Sequence, residues 1–315
     1  MLKTRICLVL GAGASQPYGF PTGNELLTLV LRQQPDDWWS LVANAFGTRT
    51  ASQTHEAFVS ALHSAGTQSI DDFVGKRTQF RDYAKALIAF HVATKENSPA
   101  LISTAVAAEW HRFFIELLVQ GANTLDDVAN APLSVVTFNF DRSFEEATII
   151  RLASLYRLPN GELLATARQR VADAMSRWPL VHVHGSLGSL PGTKVGPFRE
   201  YKSTLTSDEL RGAVENIELL NDADPNSDRF ERARMLIREA KVVFFLGFGF
   251  HRVNCQRVLP PAWGEDSSTI YATIKGMSPG AMRKAVSHFL PARTLSARDL
   301  DCLGLLRGLE DVFSD

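Results

Sequence analysis

The sequence predicts an α/β fold in which a largely parallel, six-stranded sheet gathers a ligand crevice at one end. Three observations predict it. Short apolar, β-prone runs recur along the chain, each followed by a stretch with helical spacing. Four of these runs stop at polar or glycine-rich corners: GAGAS, FNFD, HVHGS and GFGF. The run Val242-Val243-Phe244-Phe245-Leu246 is apolar at every position, as expected of a strand covered on both faces of a parallel sheet.

The first strand, Ile6 to Leu10, ends at Gly11-Ala12-Gly13-Ala14-Ser15. Glycines there let the backbone approach a pyrophosphate, and amides near a helix start offer it donors. The dehydrogenase pattern G-x-G-x-x-G fails, because Gln16 stands where the third glycine belongs. A loop is therefore expected before the next helix, which Thr22-Gly23-Asn24-Glu25 opens as a capping box and which runs to about residue 33.

From 36 to 130 the chain reads as helices, with aromatic and apolar residues such as Phe73, Phe80, Leu87 and Phe90, then Ile102, Val106, Trp110 and Leu117, near helical spacing. A single crossover does not need so long a connection. The expected organisation is a sheet domain from 1–35 and 131–315 with a helical insertion subdomain at 36–130. Those aromatics read most economically as core, with a partner interface or a lid over the ligand as the other readings.

Leu133 to Thr137 is the second strand, and Ser143-Phe144-Glu145-Glu146 fits another capping box. Further strands are expected at 179–184, 241–246, 268–274 and 292–295. Helices are expected at 163–177, 206–220, 226–240 and 279–289, with a closing helix from Ser296 to near Phe313.

Composition narrows the function. The chain has 315 residues, is 45% hydrophobic and 21% charged, and carries a formal net charge of -1. No global pull towards nucleic acid or an anionic membrane follows from that balance, so nucleic-acid contact stays undecided and a membrane partner is not expected. No apolar run approaches bilayer length, and the apolar run at the N-terminus is too short for a signal peptide. Cys7, Cys255 and Cys302 lie far apart without a C-x-x-C, so neither a disulfide framework nor a four-cysteine zinc site is readable. Reduced, buried thiols in a cytoplasmic protein are the expectation.

In an open parallel sheet, ligands bind outside the carboxyl ends of the strands, so all four corners of this Rossmann-like sheet are expected to face one crevice. Each residue also has a plainer reading. Asn139 and Asp141 precede a helix and suit N-caps. His184 suits a hydrogen-bonded structural histidine, and His182, two residues back, projects from the same face as buried support or a second imidazole. Gly247 and Gly249 suit the relief of crowding at a strand end.

Taken together and in order, Gly11 to Ser15, Pro21-Thr22-Gly23, Asn139 with Asp141, His184-Gly185 and Gly247-Phe248-Gly249 resemble the sirtuin family in its divergent, defence-associated NAD-hydrolase branch. The resemblance spans residues 5 to about 275. It departs from the protein deacylases in lacking the four zinc cysteines and in having Phe20-Pro21-Thr22-Gly23 after the first turn. What it implies is NAD as substrate, no zinc and no metal, with Asn139 and His184 catalytic. Gly11, Ala12, Gly13, Ser15, Pro21, Thr22, Gly23, Asp141, Gly247, Phe248, Gly249 and Asn254 would bind the dinucleotide. Asp141 would hold the nicotinamide end, Asn254 a ribose, and Phe248 and Phe250 would narrow the pocket.

Cleaving the nicotinamide–ribose bond leaves an oxocarbenium-like ribose, and the leaving ring needs little proton help. An amide can fix the ribose or a water, and a neutral imidazole can take a proton. The resemblance further implies NAD depletion in prokaryotic immunity, a homo-oligomer, and activation in trans by an ATPase, a short Argonaute or a nucleotide-binding protein. The alternatives are a module that binds NAD or ADP-ribose without turnover, and an assembly subunit of a DNA-dependent defence complex.

Overall fold

The computed structural model describes residues 2–67, 69–103, 109–158, 161–193, 198–259, 268–287 and 294–313. Six strands form one sheet: β1 (Ile6–Leu10), β2 (Leu133–Thr137), β3 (Leu180–His182), β4 (Val242–Leu246), β5 (Thr269–Thr273) and β6 (Thr294–Arg298). Their order is β3-β2-β1-β4-β5-β6, and every neighbouring pair is parallel. The expected Rossmann-like sheet is thus present. Ile6 pairs with Leu133 on one side and Val242 on the other, so the chain's direction of winding reverses between β1 and β4. That reversal opens a crevice outside the carboxyl ends of these two strands.

Among the described residues, nine α-helices lie between β1 and β2: α1 (Ala12–Ser15), α2 (Gly23–Leu31), α3 (Asp36–Phe46), α4 (Thr48–Ala65), α5 (Ile70–Lys76), α6 (Arg81–Ala93), α7 (Ser98–Leu101), α8 (Trp110–Val119) and α9 (Leu125–Ala129). After β2 come α10 (Ser143–Leu155) and α11 (Leu164–Met175), and after β3 come α12 (Ser207–Asn216) and α13 (Asp228–Glu239). α14 (Arg252–Val258), α15 (Pro279–Ser287) and α16 (Cys302–Arg307) complete the fold.

Alternation along β1 sends its side chains to two cores. Ile6, Leu8 and Leu10 join a cluster with Trp38, Leu87, Trp110 and Phe114 from the helices before β2. Cys7 and Val9 join another with Phe230 and Ile237 of α13 and Phe245 of β4. Both faces are covered, which is why the central strands are apolar throughout. The residues at 36–130 therefore share a core with the sheet. Of the predicted apolar positions there, Phe73, Phe80, Leu87, Phe90, Trp110 and Leu117 are buried, whereas Ile102 is exposed and Val106 lies outside the described residues.

Three local expectations are corrected. A one-turn helix, α1, begins directly after Gly11 in place of a loop, followed by a 3-10 turn over Gln16–Tyr18. So short a helix is marginal alone; here Trp110 Nε1 donates to the Ala14 carbonyl at 2.7 Å and fixes it from outside. The capping box expected at Ser143 is not formed: Ser143 is the first residue of α10, and its N–H is capped by Asp141 Oδ1 at 3.0 Å. Glu146 instead pairs with Arg168 at 2.8 Å. Finally, Ser296 lies in β6, because the outer edge of β5 accepts a sixth strand, and α16 starts only at Cys302, capped by Asp301. The expected residues 292–293 of that strand and 288–289 of the preceding helix lie outside the described residues.

The capping box at Thr22 is present, with the Glu25 carboxylate accepting from Thr22 N at 2.7 Å and from its hydroxyl at 2.8 Å. Among the described residues no helix is long and apolar enough to cross a membrane.

Candidate active site

The two glycine corners meet backbone to backbone at the carboxyl ends of β1 and β4. Gly11 N donates to Leu246 O at 3.0 Å, Gly13 N to Gly247 O at 3.0 Å, and Ala14 N to Gly11 O at 2.9 Å. Gly247 N in turn donates to Thr273 Oγ1 at 2.8 Å. These amides are engaged within the fold, which corrects the expectation that they are offered to a pyrophosphate. Glycine is needed for a different reason. A Cβ on Gly11 would lie 2.6 Å from Gly247 O, and one on Gly247, at φ +58°, would lie 2.0 Å from Ala14 N. Gly249, by contrast, has open space around it.

Above this floor sits a polar knot centred on Asn139, just past the end of β2. Its Nδ2 donates to Gly11 O and to Ser15 Oγ, both at 3.0 Å. The Gly11 carbonyl can only accept, so the orientation of the amide is fixed. Ser15 Oγ donates to Asp141 Oδ1 at 3.1 Å, and that same oxygen caps Ser143 N. Asn139 thus caps no helix, while Asp141 does. Burial pushes the Asp141 carboxyl above the usual range, partly offset by the bonds from Ser143 and Ser15. Asn139 is only 8% exposed, and its Oδ1 has no hydrogen-bond partner. A buried acceptor left open in this way marks a place where a ligand or water belongs.

Asn139 is one of the residues lining a cavity of about 310 Å³. The first turn contributes Ala12, Pro21, Gly23 and Asn24, and the end of β2 contributes Phe138 to Asp141. Ser69, Ile70 and Asp71 of the α5 start and Ile88 and Val92 of α6 close the other wall, with His251 at the rim. Among the sequence-predicted residues, the structure brings Ala12, Pro21, Gly23, Asn139 and Asp141 together here. Gly11, Gly13, Ser15, Thr22, Gly247, Phe248, Gly249, Asn254 and His184 are not in its lining. The structure places Phe248 and Phe250 in the core beside Phe245, with ring centroids 5.5 and 5.7 Å from it, so neither narrows this cavity.

His184 is 6% exposed and lies between Phe138 and Phe230, at centroid distances of 5.7 and 5.6 Å. Burial holds its pKa below the ordinary value, so it is neutral near pH 7. Its Nδ1 donates to Glu218 O at 3.1 Å, which makes Nε2 an acceptor. Nε2 is 3.2 Å from Asn254 Oδ1; with Nε2 accepting, the amide has to be assigned the other way round, its NH2 towards the ring.

His182 does not share these surroundings. β3 ends there, strand alternation stops, and its ring turns to α10, bonding Glu145 Oε1 at 2.7 Å and Asn139 O at 2.9 Å. Burial alone would lower its pKa, but the Glu145 carboxylate and these bonds raise it above the ordinary value. Both ring nitrogens face acceptors, as an imidazolium requires.

Sequence reasoning missed Asp71, His251 and the apolar wall from α6. For Asp71 the only signal is Ser69-Ile70-Asp71-Asp72, which reads as a helix start, and Ser69 Oγ does accept from Asp72 N at 3.3 Å. Among the described residues no group of three or more His, Cys, Asp or Glu side chains is placed to hold a metal ion. The three cysteines are free and buried, and burial pushes each thiol up to about 12.

No family model matches the chain, and no curated protein does. Among solved structures it is similar to a mutant of a Sir2 homologue in complex with ADP ribose, at 14% identity and a TM-score of 0.37, over 99% of this chain and 93% of that one. A likeness of that degree decides nothing about the site, whose chemistry stands on the side chains described above.

Proposed function

We propose that the chain hydrolyses NAD at the nicotinamide–ribose bond, releasing nicotinamide and ADP-ribose. The observation that carries this reading is Asn139 itself, whose amide is fixed by two bonds from Nδ2 and whose buried Oδ1 has no partner, lining a cavity together with Asp71 and Asp141. Heterolysis of that bond needs oriented acceptors and negative charge near the ribose, because positive charge develops there. The ordered corner motifs, which resemble those of defence-associated sirtuins, supply the identity of the substrate. Asn139 would fix the ribose or the attacking water. His184, neutral, would be the base, once Asn254 yields its place at Nε2.

On this reading the chain is a cytoplasmic, homo-oligomeric effector that depletes NAD during infection when a separate sensor protein engages it. A second reading, a module that binds NAD or ADP-ribose without turnover, is favoured by one observation. Both nitrogens of His184 are engaged, and the ring is absent from the cavity lining.

Nicotinamide release from NAD, followed across oligomeric fractions with and without the neighbouring gene's product, separates the two. Hydrolysis predicts release that falls ~100-fold or more in Asn139→Ala and in His184→Ala. Binding of NAD with no release in any fraction supports the second reading, and release unchanged in both variants refutes the assignment of these residues.

A further inference from the structure

We propose that Asp71, carried by the helical segment between β1 and β2, contacts the nicotinamide-ribose end of the substrate and selects oxidised, cationic NAD over its reduced form. The inference rests on the NAD reading above and adds a residue that the corner motifs do not contain.

The cavity's charges point one way. Its lining holds two carboxylates, Asp71 and Asp141, and no lysine or arginine among the described residues. A pyrophosphate is repelled by such a wall, whereas a pyridinium and the cationic ribose that follows it are attracted. The volume agrees, since about 310 Å³ is near the lower limit of small-molecule sites and suits a ring with its sugar. Asn139, whose buried Oδ1 has no partner, lines the same cavity.

Asp71 is held in place for this contact. Its Oδ1 accepts from Leu220 N at 2.7 Å, and its backbone carbonyl accepts from Asn221 Nδ2 at 2.8 Å. Among the described residues no arginine or lysine forms a salt bridge with it. Burial raises its pKa, and the bond from Leu220 N partly offsets that. A cation arriving in the cavity would supply the missing counter-charge.

Asp71→Asn keeps an oxygen for the Leu220 N–H and removes only the charge. Asp72→Asn makes the same charge change one residue along, at a side chain that does not line the cavity. Affinities of the full-length chain for NAD⁺, NADH and ADP-ribose are measured by rapid-mixing fluorescence, ahead of turnover. The expected result is that Asp71→Asn weakens NAD⁺ by about tenfold, roughly one buried charge contact, and leaves NADH and ADP-ribose unchanged. Asp72→Asn is expected to change none of the three. Equal weakening of all three ligands by Asp71→Asn, or of none, overturns the inference while leaving the NAD reading standing. A wild-type chain that binds none of them refutes the NAD reading itself.

Discussion

Replacing Gly247 by alanine tests whether the two glycine corners are glycine for steric reasons. The new Cβ would lie 2.0 Å from Ala14 N and 2.3 Å from the Gly13 carbonyl carbon, both backbone atoms that no side-chain rotation can clear. At φ +58° a non-glycine residue also costs about 1–2 kcal/mol. Overpacking adds about 1–3 kcal/mol. Parting the corners stretches the bonds from Gly13 N to Gly247 O and from Gly11 N to Leu246 O, each worth about 1 kcal/mol. The sum is roughly 4–7 kcal/mol, which for a chain of this size lowers the melting temperature by about 6 °C or more. Urea and thermal unfolding of Gly247→Ala and Gly249→Ala make the comparison internal, because nothing lies within 4 Å of a Cβ at Gly249. A Gly247→Ala protein as stable as the wild type, or a Gly249→Ala protein equally weakened, would refute the steric argument.

Two further outcomes follow from buried charge. Glu96 is fully buried and receives both Arg142, at 2.9 and 2.6 Å, and Arg199. Glu96→Gln leaves two buried guanidinium groups facing an amide and is expected to cost about 3–5 kcal/mol by urea unfolding, far more than Lys275→Ala at the exposed pair with Asp301; equal midpoint shifts would contradict this. His182 has a folded pKa raised above its unfolded value, so its stabilising contribution is complete below the unfolded pKa and is lost as pH rises through the folded one. The stability gap between wild type and His182→Gln is therefore expected to shrink above neutral pH, and a gap that widens there would reverse the assigned sign.

The strand ends were legible because each closes an apolar run with a residue that strands disfavour, and their parallel arrangement followed from the alternation of strands with helices. What the glycines do was not legible. Whether Gly11 N meets a phosphate or Leu246 O depends on which strand lies beside β1, and two residues 235 positions apart carry no local trace of it. The same holds for Asp71, which looks like any acid in a helix's first turn until α5 is placed against the end of β2. α1 was missed because its stabilising partner, Trp110, lies 96 residues away. Asn139 and Asp141 were picked out as a pair, yet only the tertiary contacts divide their work, one tying the first corner to β2 and the other capping α10.

The interlocked glycine corners have a consequence for altering what this protein accepts. Because the base of the crevice is main chain bonded to main chain, substitutions there trade away the fold before they reshape the ligand's surroundings. Ser69, Ile70, Ile88 and Val92 line the cavity from the helical segment and take no part in those main-chain bonds. A library aimed at new ligands belongs at those four positions, with residues 11–13 and 247 left untouched.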